Sequence, residues 1–247
     1  MSLNDQLDDL IKYWFAEDIG DGDHTSLSSI PETAMGKSRL IIKETGVLAG
    51  VEVAKRIFAA FDPELKMTQY LNDGDEVKPG DIAFDVEGKV LSLLQTERLM
   101  LNIMQRMSGV ATVTRKYAKC LEGLKTKVLD TRKTTPGLRL LEKQAVKIGG
   151  GTNHRIGLFD MILLKDNHVD FAGGIENAIT RAKEFMDMYN SGVSRGRQFM
   201  VVQIETEGNP GPEVIVNRAE NFDKKFNYYI KIRRCDYGTS KKSKEKV

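Results

Sequence analysis

A chain of 247 residues, 40% of them hydrophobic and 29% charged, has the material for one large α/β unit or two modest domains. A formal net charge of +2 and two distant cysteines, Cys120 and Cys235, without a C-x-x-C argue against nucleic acid as a partner, a disulfide scaffold and a zinc knuckle. No apolar run approaches the ~18 residues of a membrane span, and the acidic N-terminus does not read as a signal peptide. The expected location is the cytoplasm, with no membrane partner.

Residues 3–16 carry Leu7, Leu10, Ile11, Trp14 and Phe15 at helical spacing, with Asn4 or Asp5 available as a cap. The run EDIGDGDHTS (17–26) reads as a tight loop. Its acidic residues lack the spacing of a Ca²⁺ loop, so it is expected to cap the next element, and His24 is read as structural. Residues 36–43 alternate as a strand, and 46–50 make a turn or short strand. Residues 51–61 place Val53, Ala54, Ile57, Phe58 and Phe61 on one helical side, and 67–71 form another strand. The segment 71–90 has turn signals around short β runs. Its Gly-Asp-x-Val-x-x-Gly-Asp pattern predicts a structural hairpin like that of lipoyl and biotin modules, without their prosthetic lysine motif. Residues 91–119 are helical, with an apolar surface of Leu94, Leu99, Leu101, Ile103, Met104 and Met107. Ser108-Gly109 is predicted to break this helix, which puts Arg106 at a helix end.

From Val128 the texture changes to strand 128–130, loop 131–137, helix 138–148, loop 149–157, strand 161–164, loop 165–169, helix 174–189 and strand 200–204. Such alternation predicts a parallel α/β layer or barrel. Working residues in that architecture lie at the C-terminal ends of strands. The rule selects Arg132 and Lys133, then Lys165, Asp166 and His168, then Glu205 and Glu207. The sequence GNPG at 208–211 ends the pattern, and 236–247 reads as a basic tail.

The stretch 128–168 gathers Arg132, Lys133, Arg139, Lys143, Lys147, His154, Arg155, Lys165 and His168. Cations at the ends of buried strands point to an anionic ligand with more than one carboxylate or phosphate. Arginine supplies a planar fork, lysine a point charge, and Thr131, Thr134 and Thr135 add hydroxyls. The run GGGTNHR (149–155) lacks both the P-loop and the dinucleotide pattern, so its glycines are expected to let backbone approach a ligand closely. No nucleophile elbow or H-E-x-x-H is present.

The run TRKTTPGLRLLEKQAVKIGGGTNHRIGLFDMILLKDNH, with LNIMQRMSGVAT upstream and the early EDIGDGDHTS, resembles the quinolinate phosphoribosyltransferase family, also called nicotinate-nucleotide pyrophosphorylase (carboxylating). The resemblance covers residues 1–190. It implies an α/β fold: an N-terminal α/β sandwich over 1–115 and an incomplete, open α/β barrel over 116–235, before the tail. It implies conversion of quinolinate and phosphoribosyl pyrophosphate, with Mg²⁺, to nicotinate mononucleotide, carbon dioxide and pyrophosphate in NAD biosynthesis. It also implies a homodimer or higher oligomer with shared sites. Arg132, His154, Arg155 and Lys165 would hold the quinolinate carboxylates and Lys133 would face the phosphoribosyl group. Arg106 would enter the neighbouring subunit's site. Glu205, closing Val202-Gln203-Ile204, is the candidate for the carboxylate beside the ribose. Beyond Glu207 the family's Leu-Asp-Asn strand end and Ser-Gly-Gly loop are not found, so a divergent or truncated C-terminus is expected. The alternative is an impaired homologue that binds a dicarboxylate or pairs with a complete subunit.

Overall fold

The computed structural model describes residues 3–124, 126–192 and the backbone of 202–204. Contacts group the chain into two units, Met1–Ile156 and Gly157–Val247. The first runs α1 (Leu3–Ile19), α2 (His24–Ser29), β1 (Met35–Ile41), β2 (Gly46–Val47), α3 (Val51–Phe61), β3 (Lys66–Gln69), β4 (Glu76–Val77), β5 (Ile82–Lys89), α4 (Val90–Cys120) and α5 (Arg139–Ile148).

Leu7 and Ile11, one turn apart on α1, are both buried, as helical spacing requires. Asp23 caps α2 by accepting the Ser26 N–H at 3.1 Å. The expected loop 17–26 is shorter, residues 20–23, because 17–19 close α1 and 24–26 open α2; it has the expected capping role, and that bond holds the Asp23 carboxyl below its ordinary value. On α3 the buried residues Val53, Ala54, Ile57 and Phe58 follow the predicted stripe. The first turn of α3 is closed from a distant loop: Asp73 Oδ1 accepts the Val51 N–H at 2.8 Å.

The sheet order is β1-β5-β3, antiparallel throughout, while β2 and β4 form a separate pair. The expected 71–90 hairpin is therefore two strands serving two different sheets. The reason lies after Pro79-Gly80, where the end of the β1 segment captures the chain. Gly80 N–H donates to the Ile42 carbonyl and Ile42 N–H to the Asp81 carbonyl. In the middle of β5, Asp85 is 1% exposed beneath Arg39 (2.7 and 2.9 Å), Lys37 (3.0 Å) and the Tyr70 hydroxyl (3.1 Å). The Arg39 guanidinium above all holds its carboxyl well below the usual carboxylate range.

Helix α4 is continuous for 31 residues, straight through Ser108-Gly109. One glycine costs a helix interior about 1 kcal/mol. Here the Ser108 hydroxyl accepts the Ala49 N–H at 2.9 Å and donates to the Ala49 carbonyl at 3.1 Å. Met104, Met107 and Ala111 meanwhile bury the same face. Burying those side chains outweighs one glycine, so Arg106 lies within the helix and not at its end.

The second unit contains β6 (Ile162–Leu164), α6 (Asp166–Ala172), α7 (Ile175–Gly192) and β7 (Val202–Ile204). β6 and β7 pair in parallel, Ile162 with Val202. A parallel pair joined through helices is the repeating unit of a parallel α/β layer. The expected loop 165–169 is instead the start of α6. Lys165 N–H donates to His168 Nδ1 at 3.0 Å and Val169 N–H to the Lys165 carbonyl at 3.0 Å. His168 is thus a capping residue. Glu205, Glu207, the 208–211 break and the 236–247 tail lie outside the described residues.

Candidate active site

Leu129 bridges Thr152 in the parallel sense, with Thr152 N–H donating to the Val128 carbonyl at 2.8 Å and Asp130 N–H to the Thr152 carbonyl at 3.2 Å. Two short extended segments therefore run side by side in one direction. Their C-terminal ends deliver Arg132-Lys133 and His154-Arg155 to the same edge, where ligands collect in parallel α/β architectures.

Asp130 closes the first segment and knits it to the second. Its Oδ1 accepts the His154 N–H at 2.8 Å and pairs with Lys143 of α5. Lys143 Nζ also donates to the His154 carbonyl at 3.1 Å. With its amide nitrogen turned inward, Asn153 donates to Asp130 Oδ2 and to the Lys143 carbonyl, both at 2.8 Å. The Asp130 and Lys143 side chains are 5% and 3% exposed.

On this frame Arg155 is buried and Lys133 is exposed. Lys133 N–H donates to Thr131 Oγ1 at 3.1 Å, which shapes the loop. Arg132 is partly buried, and its Nε is enclosed without an acceptor among the described residues. A buried N–H donor without a partner is costly, and an oxygen acceptor would relieve that cost. Lys165, at the start of α6 in the second unit, is exposed.

Arg106 reaches the loop after Lys133 within its own chain. Its Nη2 lies 2.6 Å from Glu142 Oε1 and 2.9 Å from Thr135 Oγ1, and its Nε lies 3.1 Å from Glu142 Oε1. Glu142 Oε2 accepts the Thr135 N–H at 3.3 Å. Burial raises the Glu142 carboxyl, but the bonds from Arg106 and Thr135 together lower it further, so the net shift is downward. Arg106 also lines a cleft of about 380 Å³ with Trp14, Glu17, Asp18, Arg98 and Asn102, a surface of mixed charge.

Two expectations change. The nine-residue cluster is not uniformly free for a ligand: Lys143 is neutralised by Asp130, and Arg139 is held by Thr134 Oγ1 (3.0 Å) and the Ile156 carbonyl (3.2 Å). The glycines of GGGTNHR serve packing. A Cβ on Gly149 would lie 2.5 Å from the Ala111 carbonyl oxygen, and one on Gly151 would lie 2.6 Å from Val146 Cγ1. They let the loop lie against α4, with Arg115 Nε donating to the Gly149 carbonyl at 3.1 Å. Sequence reading passed over Asp130 and Glu142. Glu142 did leave a signal, since it occupies a core position of the stripe Leu138, Leu141, Glu142, Ala145. Among the described residues, no three His, Cys, Asp or Glu side chains group as metal ligands.

The chain matches the family models for the quinolinate phosphoribosyl transferase N-terminal domain over residues 23–108 and C-terminal domain over 110–195. It is 43% identical over 198 residues to quinolinate phosphoribosyltransferase [decarboxylating] 1b of Nicotiana tabacum, covering 80% of this chain and 54% of that protein. It thus spans about half the length of that relative. Among solved structures, NadC from Streptococcus pyogenes is 40% identical with a TM-score of 0.73, covering 82% of this chain and 68% of that one. The nicotinate-nucleotide pyrophosphorylase from Francisella tularensis is 34% identical with a TM-score of 0.70, covering 94% and 85%. Matched by the models of both domains and by solved structures at 40% and 34% identity with TM-scores of 0.73 and 0.70, the chain belongs to the quinolinate phosphoribosyltransferase family.

Proposed function

We propose that the chain transfers the phosphoribosyl group of phosphoribosyl pyrophosphate to quinolinate and decarboxylates the product to nicotinate mononucleotide, in NAD biosynthesis in the cytoplasm. The quinolinate ring nitrogen attacks the ribose carbon, and the carbon–oxygen bond to pyrophosphate breaks with its electron pair leaving on pyrophosphate. The ring carboxylate beside the nitrogen then departs as carbon dioxide, and its electron pair takes up a proton at the ring carbon. The observation that carries this reading is the enclosed Arg132 Nε without an acceptor, beside His154-Arg155 at one parallel strand edge. A guanidinium fork suits a carboxylate, and paired cations suit a dicarboxylate. Arg132, His154, Arg155 and Lys165 hold the carboxylates and stabilise the negative charge that decarboxylation leaves on the ring. Lys133, exposed on the loop, faces the phosphoribosyl group. Glu205 supports positive charge developing at the ribose. Mg²⁺ enters with phosphoribosyl pyrophosphate as part of the substrate, on its pyrophosphate oxygens. In the working homodimer or higher oligomer, Arg106 exchanges its bonds to Glu142 and Thr135 of its own chain for a role in the neighbouring subunit's site.

The test is carbon dioxide release from carboxyl-labelled quinolinate with phosphoribosyl pyrophosphate and Mg²⁺. Release requiring all three, together with loss of quinolinate binding in Arg132→Ala, is expected. Undiminished quinolinate binding in that variant would overturn the site assignment, and binding without release would remove the transferase assignment.

A further inference from the structure

The Asp130–Lys143 pair belongs to no substrate contact assigned above, yet it sits at the centre of the site's backbone. Asp130 precedes Arg132 by two residues, and the pair grips the peptide that precedes Arg155. One carboxylate oxygen accepts the His154 N–H at 2.8 Å, and the lysine donates to the His154 carbonyl at 3.1 Å. The second carboxylate oxygen takes Asn153 at 2.8 Å. Residue 154 is thus fixed through both its amide and its carbonyl, by groups nine-tenths or more buried. Across the same edge Arg132 Nε is enclosed with no acceptor among the described residues. Its direction depends on the segment that Asp130 terminates. Loop residues without such ties drift, and drift of about 1 Å suffices to misalign a two-point ligand.

We infer that Asp130 and Lys143 are positioning residues: their buried pair sets the spacing between Arg132 and His154-Arg155, so that the two strand ends receive two carboxylates of one ligand. The ligand named rests on the reading under Proposed function; the positioning itself does not.

Removing one partner of a buried pair strands the other charge, so Asp130→Asn is paired with the uncharged double variant Asp130→Asn/Lys143→Met. Two readouts are taken on variants that melt cooperatively. The first needs no ligand: the guanidinium Nε–Hε resonances of Arg132 and Arg155 in ¹H–¹⁵N spectra. These should move in both variants and stay unchanged in Glu87→Gln, a substitution on the distant sheet. The second is the quinolinate dissociation constant by calorimetry, expected to rise on the order of 100-fold in both variants. Unmoved arginine resonances overturn the inference whatever the ligand. Unchanged affinity in a folded variant overturns it too. Should the unmodified chain fail to bind quinolinate, the proposed substrate falls, while moved resonances still uphold the positioning role.

Discussion

Gly149 and Gly109 separate two meanings of glycine in this chain, and alanine substitution should act on them with opposite signs. Gly149 has φ −69° and ψ −3°, a conformation alanine adopts freely. With space around it, Gly149→Ala would stabilise by about 0.4–1 kcal/mol through the unfolded chain's entropy. There is no space. The new Cβ would meet the Ala111 carbonyl oxygen at 2.5 Å, Thr114 Cβ at 2.7 Å and Ala111 Cα at 3.0 Å. Two of these atoms are backbone of a 31-residue helix, so α4 or the loop must retreat by most of an ångström. Overpacking of that kind costs about 1–3 kcal/mol, and the Arg115 bond to the Gly149 carbonyl lengthens with it. The net expectation is destabilisation by about 1–2 kcal/mol, the steric cost less the entropic gain. Gly109, exposed within α4, has nothing within 4 Å of its Cβ position. Gly109→Ala should therefore stabilise by about 0.5–1 kcal/mol. Urea denaturation of both variants, compared at equal slope, gives the two signs. A neutral or stabilised Gly149→Ala chain would refute the packing argument, and reduced quinolinate affinity alongside it would restore a ligand-facing role for the loop.

Glu142→Gln removes the charge shared by Arg106 and Thr135. With Arg106 half exposed, the loss should be about 1–2 kcal/mol at neutral pH. The folded Glu142 carboxyl lies below its ordinary 4.5, so its contribution is complete above that pH and is lost as pH falls through the lower folded value. The stability gap between the two chains should accordingly close in acid, as read by denaturation at pH 7 and below 4.5. Ser108→Ala should cost about 1–3 kcal/mol, because the buried Ala49 N–H loses its acceptor; a denaturation midpoint unmoved by this change would refute the anchoring of α4. The Asp85 carboxyl is likewise depressed from 3.8, foremost by Arg39, and Asp85→Asn should lower the thermal midpoint at neutral pH. That difference should shrink as pH drops below 3.8, and a pH-independent difference would refute the ionic account.

Helix α3 was legible in the sequence because one local signal, the apolar stripe, decides it. The strand-end cations were legible because the surrounding motif is specific, although the apolar runs beside them, 128–129 and 161–164, are partly buried and not buried as expected. What escaped depends on partners far away in sequence. The continuity of α4 rests on Ala49, 59 residues from Ser108. The division of 71–90 between two sheets rests on Ile42. No local pattern at Gly149 announces Ala111 and Thr114. The roles of Asp130 and Glu142 became visible only when α5 packed beside both the 130 and 154 segments, since an acidic residue in a helix or at a strand end is ordinarily a solvated one.

Helix α5 explains why some of the cluster's charge is structural. Adjacent helical residues point about 100° apart. Glu142 thus turns toward α4 and holds Arg106 and Thr135, while Lys143 turns toward the strand ends and holds Asp130 and His154. A buried ion pair that holds nothing else can often be replaced by an apolar pair of similar volume without loss of stability. Such a pair could not satisfy the His154 amide, the His154 carbonyl and the Asn153 side chain together. The ionic pair is therefore explained by the polar groups it satisfies and by the geometry it imposes on two backbone segments. The order of the two charges follows from the same geometry. Exchanging them would set a lysine against Arg106 and a glutamate against Asp130, opposing like charges on both faces of one helix. Composition and net charge would be unchanged, yet the 130 and 154 segments and the loop at Thr135 would lose their support.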